Sequence, residues 1–410
     1  MYVKRHCEEI VKTAAEMYTS VIITGPRQVG KTTVLREMFP EYQFVSFDDE
    51  DVKLYASNNK NLFFKTYEPP VILDEVQRSP EIFPYIKLYA DKTHRKGAIF
   101  MTGSQAFHLM KNASESLAGR VGIIDLLGLS LREISAKDFK LPFLPTDDFL
   151  AESRKHKETL TYRELWDFIR RGSLPEVNSQ EMNDTKWLQY YRNYVRTYLE
   201  RDVRALTQIG DEKAFMDFMR LVASNTSQML NYSKIAAEIG KTTATVQNWI
   251  SILETSGIVY LLKPYSNNFN KRIVKTPKIY FLDTGLCCFL TGWYSTEQLM
   301  FGAMSGAMYE TFVIGEIIKS HQNAGRDTSL AFSYYRDKEQ REIDLIIEEN
   351  GTLYPIEIKK TASPNSADVK HFNVLSNETT KKIAGGGLIY SGDVEIYLKE
   401  NTKAIPIMLI

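Results

Sequence analysis

Gly25-Pro26-Arg27-Gln28-Val29-Gly30-Lys31-Thr32 is a complete G-x-x-x-x-G-K-[ST] phosphate loop, and what flanks it decides the fold. Val21-Ile22-Ile23-Thr24 before it is a short β-branched run that reads as a buried strand, and the stretch from Thr33 to Phe39 reads as a helix. The chemistry needs that order. Glycines let the backbone turn its N–H groups toward the α- and β-phosphates, and the next helix presents its positive end to them. Lys31 then reaches the β/γ-phosphates and the Thr32 hydroxyl holds Mg²⁺. The stretch predicts a nucleoside-triphosphate site, ATP with Mg²⁺, contacted by Gly25, Pro26, Arg27, Gln28, Val29, Gly30, Lys31, Thr32 and Thr33.

The rest of the composition bounds this reading. A chain of 410 residues suggests two to four domains, and 43% hydrophobic with 25% charged residues is usual for a soluble globular protein. The net charge is zero, so any nucleic-acid binding must come from a local patch. Cys7, Cys287 and Cys288 form no metal-ligand spacing, which fits a reducing, cytoplasmic compartment. No apolar run of about 18 residues occurs, so no membrane partner is expected.

Further strands follow the loop. Gln43–Asp48 is one, and Pro70-Val71-Ile72-Leu73-Asp74-Glu75 is a strand ending in two acids, the Walker B arrangement. In it Asp74 orients the Mg²⁺ shell, and Glu75 positions or deprotonates the attacking water. Ala98–Met101 is another buried strand, ending in Thr102-Gly103-Ser104; Thr102 or Ser104 would sense the γ-phosphate, unless Ser104 is simply a helix cap. Strands alternating with helices imply a parallel αβα sheet with ligands at its carboxyl edge.

Gly25–Thr33, Leu73-Asp74-Glu75-Val76-Gln77, Thr102–Ser104 and Leu117-Ala118-Gly119-Arg120 together resemble the prokaryotic AAA+-type ATPases with a C-terminal domain of unknown function. The resemblance spans nearly the whole chain. It implies that Arg120 is a finger or sensor stabilising charge on the transferring phosphoryl group, with Arg27 an alternative contact to phosphate or nucleic acid. It also implies that Gly172-Ser173-Leu174-Pro175-Glu176 and Tyr198–Val203 belong to a helical lid, where Arg171, Arg201 and Arg204 could complete the site.

Residues 140–160 lack periodicity and read as a surface connection, whereas Trp187–Arg204 has an aromatic stripe at helical spacing, a packing face. Two short helical patterns, Leu230–Gly240 and Thr245–Gly257, followed by Ile258–Leu262, form a winged-helix pattern. Residues 231–275 carry six Lys/Arg against two Asp/Glu, which favours a phosphate-backbone partner, with Thr243, Thr245, Gln247 and Asn248 facing the groove. Docking against protein is the alternative use of such a module.

Near the C-terminus, Glu342–Glu348 and Tyr354–Lys360 read as a hairpin through Asn350-Gly351 that sets Asp344 beside Glu357 and Lys359. This D-x₁₂-E-x-K arrangement resembles the PD-(D/E)xK nuclease core, closest to its Holliday-junction-resolvase-like form. The resemblance implies a second Mg²⁺ site at Glu310, Asp344 and Glu357 with Lys359, Glu316 being the other candidate for the helical acid. A plain cross-strand ion pair is the alternative.

The expectation is therefore an α/β multidomain chain. An AAA+-like αβα core occupies 1–140, a helical lid or connector 141–225, a winged helix 226–285 and a restriction-endonuclease-like α/β domain 286–410. The expected activity is Mg²⁺-dependent ATP hydrolysis coupled to DNA, in an active form that is an oligomer if Arg120 works in a neighbour's site. The alternatives are an ATP-licensed nuclease and a nucleotide-gated binding or signalling switch with negligible turnover.

Overall fold

A computed structural model describes residues 2–103, 117–156, 160–178, 182–199, 211–266 and 276–410. Ser104, Arg201, Arg204 and the stretch 267–275 lie outside the described residues.

The N-terminal sheet contains β1 (Ser20–Thr24), β2 (Gln43–Ser46), β3 (Val71–Asp74), β4 (Ile99–Thr102) and β5 (Val121–Asp125), all parallel, in the order β2-β3-β4-β1-β5. Alternation sends successive side chains to opposite layers. Ile22, Leu73, Ile99 and Met101 pack with Phe63, Phe83 and Ile86 on one face. Val21, Ile23, Ile72, Phe100 and Ile124 pack on the other, with Val11, Val34 and Leu35. Apolar faces on both sides demand helices on both, which is why these strands read as unbroken β-branched runs. β4 lies between the phosphate-loop strand β1 and the acid-bearing β3, so their carboxyl ends sit across Thr102.

Residues 140–156, the described part of the expected surface connection, form a packed segment instead. Thr146 caps a helix over Asp147–Arg154, and Phe143, Phe149 and Leu150 are buried. The segment packs on the chain's far end, where Ser153 Oγ donates to Leu409 O at 2.6 Å. Contacts so distant in sequence leave no local periodicity to read.

The middle contains α1 (Tyr162–Arg171), α2 (Asp184–Tyr194), α3 (Glu212–Ser224), α4 (Tyr232–Glu238) and α5 (Thr243–Thr255). Capping boxes and Asn or Thr caps start most of them, as at Thr161, Asn183, Asn231 and Thr242. Trp249 of α5 packs edge-on against Phe215 and Phe218 of α3, with ring centroids 5.2 and 5.1 Å apart. An antiparallel pair follows, β6 (Val259–Leu262) with β7 (Lys278–Phe281), and Met229 bridges to Lys278.

The last unit is a mixed seven-stranded sheet against the long helix α6 (Ser305–Gln322). β8 (Phe332–Arg336), β9 (Glu342–Glu349) and β10 (Thr352–Lys359) are antiparallel neighbours. The turn between β9 and β10 uses Asn350 and Gly351 at φ 49° and 74°, which Asn and Gly tolerate best. β10 runs parallel to β11 (Lys382–Ile383) and β12 (Gly387–Tyr390), β12 is parallel to β14 (Thr402–Pro406), and β13 (Ile396–Lys399) closes the edge.

His321, near the end of α6, ties this unit to residue 143. A carbonyl only accepts, so the Nε2–H of His321 donates to Phe143 O at 2.8 Å, and the ring meets Phe332 edge-on. Burial pushes this imidazole down to about 4. The unfolded chain therefore takes up the proton first, and stability falls as pH drops from the ordinary histidine value near 6.5 toward 4. Between pH 7.5 and 5 the loss attributable to His321 is expected to be about 2 kcal/mol. Urea denaturation at the two pH values should show this difference in the wild type and its absence in His321→Phe. Equal pH slopes in both proteins would refute it.

Candidate nucleotide site

The loop follows directly from β1. Gly25 has φ 132°, and a Cβ there would sit 2.1 Å from Leu126 O, so no other residue fits. Gln28 at φ 61° and Gly30 at φ 94° complete the reversal, after which the helix Lys31–Met38 begins. Such turns aim consecutive N–H groups inward and build an anion cradle. Val29 is buried, Arg27 is half-buried, and Thr33 is exposed one position beyond the motif.

Buried Lys31 donates to Gly25 O at 3.0 Å and Pro26 O at 2.8 Å, which holds its ammonium over the cradle. Thr32 Oγ1 donates to Asp74 Oδ1 at 2.6 Å, and Thr102 Oγ1 donates to the same oxygen at 2.6 Å. Ser46 Oγ at the end of β2 reaches Asp74 Oδ2 at 3.3 Å. Three hydroxyls and a carboxylate, from three strands and the helix after the loop, thus meet at the carboxyl edge. Hard oxygen donors of this kind suit Mg²⁺, which keeps several waters and takes few protein ligands.

Glu75 is left-handed, at φ 55° and ψ 45°, an unusual conformation for a residue with a side chain. Its N–H donates to Thr102 Oγ1 at 3.2 Å, and its carboxylate accepts from Gln77 Nε2. Asp74 and Glu75 thereby diverge, one toward Thr32 and the other toward the side chain of Gln77.

Arg120 is not at this edge. It immediately precedes β5, where its carbonyl accepts from Ser20 N at the start of β1, and its guanidinium pairs with Asp91. Parallel strands put that position at the amino edge, the length of β1 away from the loop, so Arg120 cannot reach its own chain's phosphates. Arg171 contributes its carbonyl, which accepts from Trp187 Nε1 and the Tyr191 hydroxyl.

Several contacts to the loop have no motif behind them. Arg5 donates to Val29 O at 2.9 Å and Leu127 O at 2.8 Å while its Nε pairs with buried Glu133 at 3.0 Å. The Tyr190 hydroxyl of α2 donates to Gln28 Oε1 at 2.6 Å. A Cβ on Gly257, just past α5, would lie 2.9 Å from the Pro26 ring, and one on Gly30 would lie 3.9 Å from Pro175. These are long-range pairings, whereas Ser46, beside Asp74, ends a strand of the same sheet and so carries a local signal.

In the C-terminal unit, Glu310 of α6, Asp344 of β9 and Glu357 and Lys359 of β10 do come together. Their centre, however, contains Lys278 of β7, whose ammonium lies 3.1 Å from Glu310, 2.5 Å from Glu342 and 3.6 Å from Asp344. The expected second Mg²⁺ site falls on this cluster, and among the described residues no three His, Cys, Asp or Glu side chains are arranged to hold a metal. Burial and then Asp344 push Glu310 up to about 7 and Glu357 up to about 8. Glu316 instead pairs with Lys319 at 2.8 Å and accepts from Leu131 N, a helix-packing role.

Comparison with known proteins agrees with the N-terminal geometry. Residues 18–135 match the family model described as AAA domain. This part of the chain is similar to AAA-type P-loop domains. Residues 162–297 and 305–410 match two models described as domains of unknown function (DUF8612 and DUF4143). The uncharacterized protein Rv2008c of Mycobacterium tuberculosis is 27% identical over 390 residues, covering 94% of this chain and 79% of the relative. The uncharacterized protein MJ1637 of Methanocaldococcus jannaschii is 25% identical over 350 residues, 76% of this chain and 71% of that one. Among solved structures, the Walker-type ATPase PABY2304 of Pyrococcus abyssi overlays with TM-score 0.44 at 15% identity, covering 69% of this chain and 94% of that one. The RuvB Holliday junction branch migration motor of Thermotoga maritima overlays at 0.29 and 15%, covering 62% and 88%. No helix among the described residues is long and apolar enough to cross a membrane.

Proposed function

We propose that this chain is a Mg²⁺-dependent ATPase whose nucleotide cycle is read by its middle segment and passed to a DNA-associated task. The meeting of Thr32, Thr102 and Asp74 within 2.6 Å contacts beside the Lys31 cradle carries the reading. Lys31 would exchange the loop carbonyls for β- and γ-phosphate oxygens, and Thr32 and Asp74 would hold Mg²⁺. The metal supplies charge neutralisation on those phosphates. Glu75, steadied by Gln77, would orient or deprotonate the attacking water. Arg120 would act only on the nucleotide of a second copy, which makes a homo-oligomer part of the proposal.

Coupling rests on the clasp around the loop formed by Tyr190, Pro175 and Gly257. Gly257 ends the helix-turn-helix pair α4–α5, so any shift of Pro26 presses on it. The order helix, bridge, two helices and a β-pair supports a winged helix, and Thr243, Gln247 and Asn248 are exposed on α5 for a DNA groove.

The test measures phosphate release from ATP by wild type, Glu75→Gln and Tyr190→Phe, with and without duplex DNA at two salt concentrations. Turnover that falls at least about a hundredfold in Glu75→Gln supports hydrolysis at this site. Turnover unchanged in Glu75→Gln would leave a nucleotide-gated switch instead. Tyr190→Phe removes one hydrogen bond, worth about 1 kcal/mol, and is expected to weaken ATP binding less than about tenfold. It should also abolish any stimulation by DNA. Stimulation that survives in Tyr190→Phe would remove this clasp from the coupling.

A further inference from the structure

Sheet order leaves β5 at an edge, and that edge carries unused hydrogen-bonding groups. Arg120 O accepts from Ser20 N, and Leu126 N donates to Thr24 O. Alternate residues of a parallel strand serve each neighbour, so Gly122 and Ile124 face β1. The N–H and C=O groups of Val121, Ile123 and Asp125 therefore point away from the sheet, with no partner strand among the described residues. We propose that this edge is a docking site for an extended, basic peptide segment of a partner protein, which adds a strand to β5.

The edge lies in a cavity of about 420 Å³, within the usual range for ligand clefts. The helix Glu8–Met17 forms one wall through Ile10, Thr13 and Met17, and the turn after α6 forms the other through Gln322, Arg326 and Asp327. The two walls meet at one end, where a Cβ on Gly325 would lie 2.6 Å from Ile10 Cδ1. A recess closed in this way between a helix and a turn admits a single extended chain, and not the helix-covered sheet of a second copy.

The lining sets what that chain must offer. Gln322 Oε1 is buried with no hydrogen-bond partner among the described residues, an acceptor that a peptide N–H satisfies. Ile123 and Met17 are 43% and 56% exposed, which leaves apolar surface for a side chain of the occupant to cover. Arg326 is neutralised by Glu349 at 2.7 Å. The carboxylates of Asp125 and Asp327 accept only from uncharged donors among the described residues, the Thr24 hydroxyl and Ser329 N. The rim is thus left negative, which favours lysine or arginine in the occupant. Backbone pairing supplies affinity in such strand addition, and alternate side chains supply selectivity.

The test uses the full chain and three fluorophore-labelled peptides of five residues. One alternates lysine and valine, the second is the same peptide with every internal amide N-methylated, and the third has glutamate in place of lysine. Binding is read by fluorescence anisotropy on wild type, Ile123→Pro and Gln322→Leu, and thermal melting shows whether each variant folds. Proline at position 123 removes only an outward N–H, which an edge strand tolerates. Wild type is expected to bind the lysine–valine peptide saturably. Methylation should weaken that binding at least about tenfold, and Ile123→Pro and Gln322→Leu about fivefold each. The glutamate peptide should bind more weakly than the lysine one. Should Ile123→Pro not fold, Gln322→Leu and the methylated peptide carry the comparison. No saturable binding by wild type would overturn the proposal, as would a methylated peptide that binds equally well, or binding unchanged in the folded variants. Equal or tighter binding of the glutamate peptide would overturn the basic character of the segment. Self-association of wild type in sedimentation that Ile123→Pro abolishes would give the edge to a second copy instead.

Discussion

Lys31→Ala is expected to reduce ATP turnover by at least two orders of magnitude, about 3 kcal/mol of lost transition-state stabilisation, while the chain stays folded. The ammonium is buried and donates to the loop carbonyls of Gly25 and Pro26, at the turn that aims backbone N–H groups toward an anion. Alanine leaves those carbonyls to solvent at the mouth of the cradle, a modest loss for stability. It removes the positive charge that phosphate oxygens would otherwise meet in a partly desolvated site, where such a charge counts for most. Phosphate release and nucleotide affinity, measured beside thermal melting, separate the two effects. Full activity in a folded Lys31→Ala protein would mean that the loop is not the catalytic centre.

The second large effect is expected far from any motif. Arg5→Ala should destabilise the chain by about 3–5 kcal/mol, because it strands the fully buried Glu133 without its counter-charge. The Glu133 carboxylate stays ionised through the Arg5 guanidinium and the N–H groups of Ser130 and His6, which together overcome burial and hold it below the usual range. Arg5 also fixes the loop, since its Nη atoms bind the carbonyls of Val29, Leu127 and Gly128. ATP affinity should therefore fall along with stability. Arg5→Lys keeps the charge but cannot reach three carbonyls and a carboxylate in one plane, so it should recover part of the stability and little of the affinity. Chemical denaturation and equilibrium nucleotide binding on the three proteins decide the matter. Unchanged affinity in a destabilised Arg5→Ala chain would confine Arg5 to holding the fold.

The two cases show what kind of residue a sequence discloses. Lys31 and Thr32 open the helix after the loop and Asp74 and Thr102 end β3 and β4, all within motifs, and their separation in sequence is set by strand and helix lengths, so the spacing carries the geometry. Arg5 and Tyr190 reach the same loop from 24 and 162 residues away, with no local pattern around them. Arg120 is a different case. Its motif is local and legible, yet its position before β5 rather than after it decides which edge of the sheet it occupies. The helix Asp147–Arg154 leaves no local pattern for a similar reason: Phe149 and Leu150 are buried in the same core as Ile407, Met408 and Leu409, which lie at the other end of the chain.

The sequence by itself determined the nucleotide loop, the parallel α/β layer around it, the helix-turn-helix pair and the β9–β10 hairpin. Each follows from short-range rules: positive φ at glycines, β-branched runs, caps and period-two alternation. The tertiary structure alone decided which cation sits among Glu310, Asp344 and Glu357. The spacing of acids along β9 and β10 is the same whether a metal or an ammonium lies between them. Only the packing of β7 against α6 brings Lys278, a residue of another unit, to that point, and long-range packing of that kind leaves no trace in local spacing.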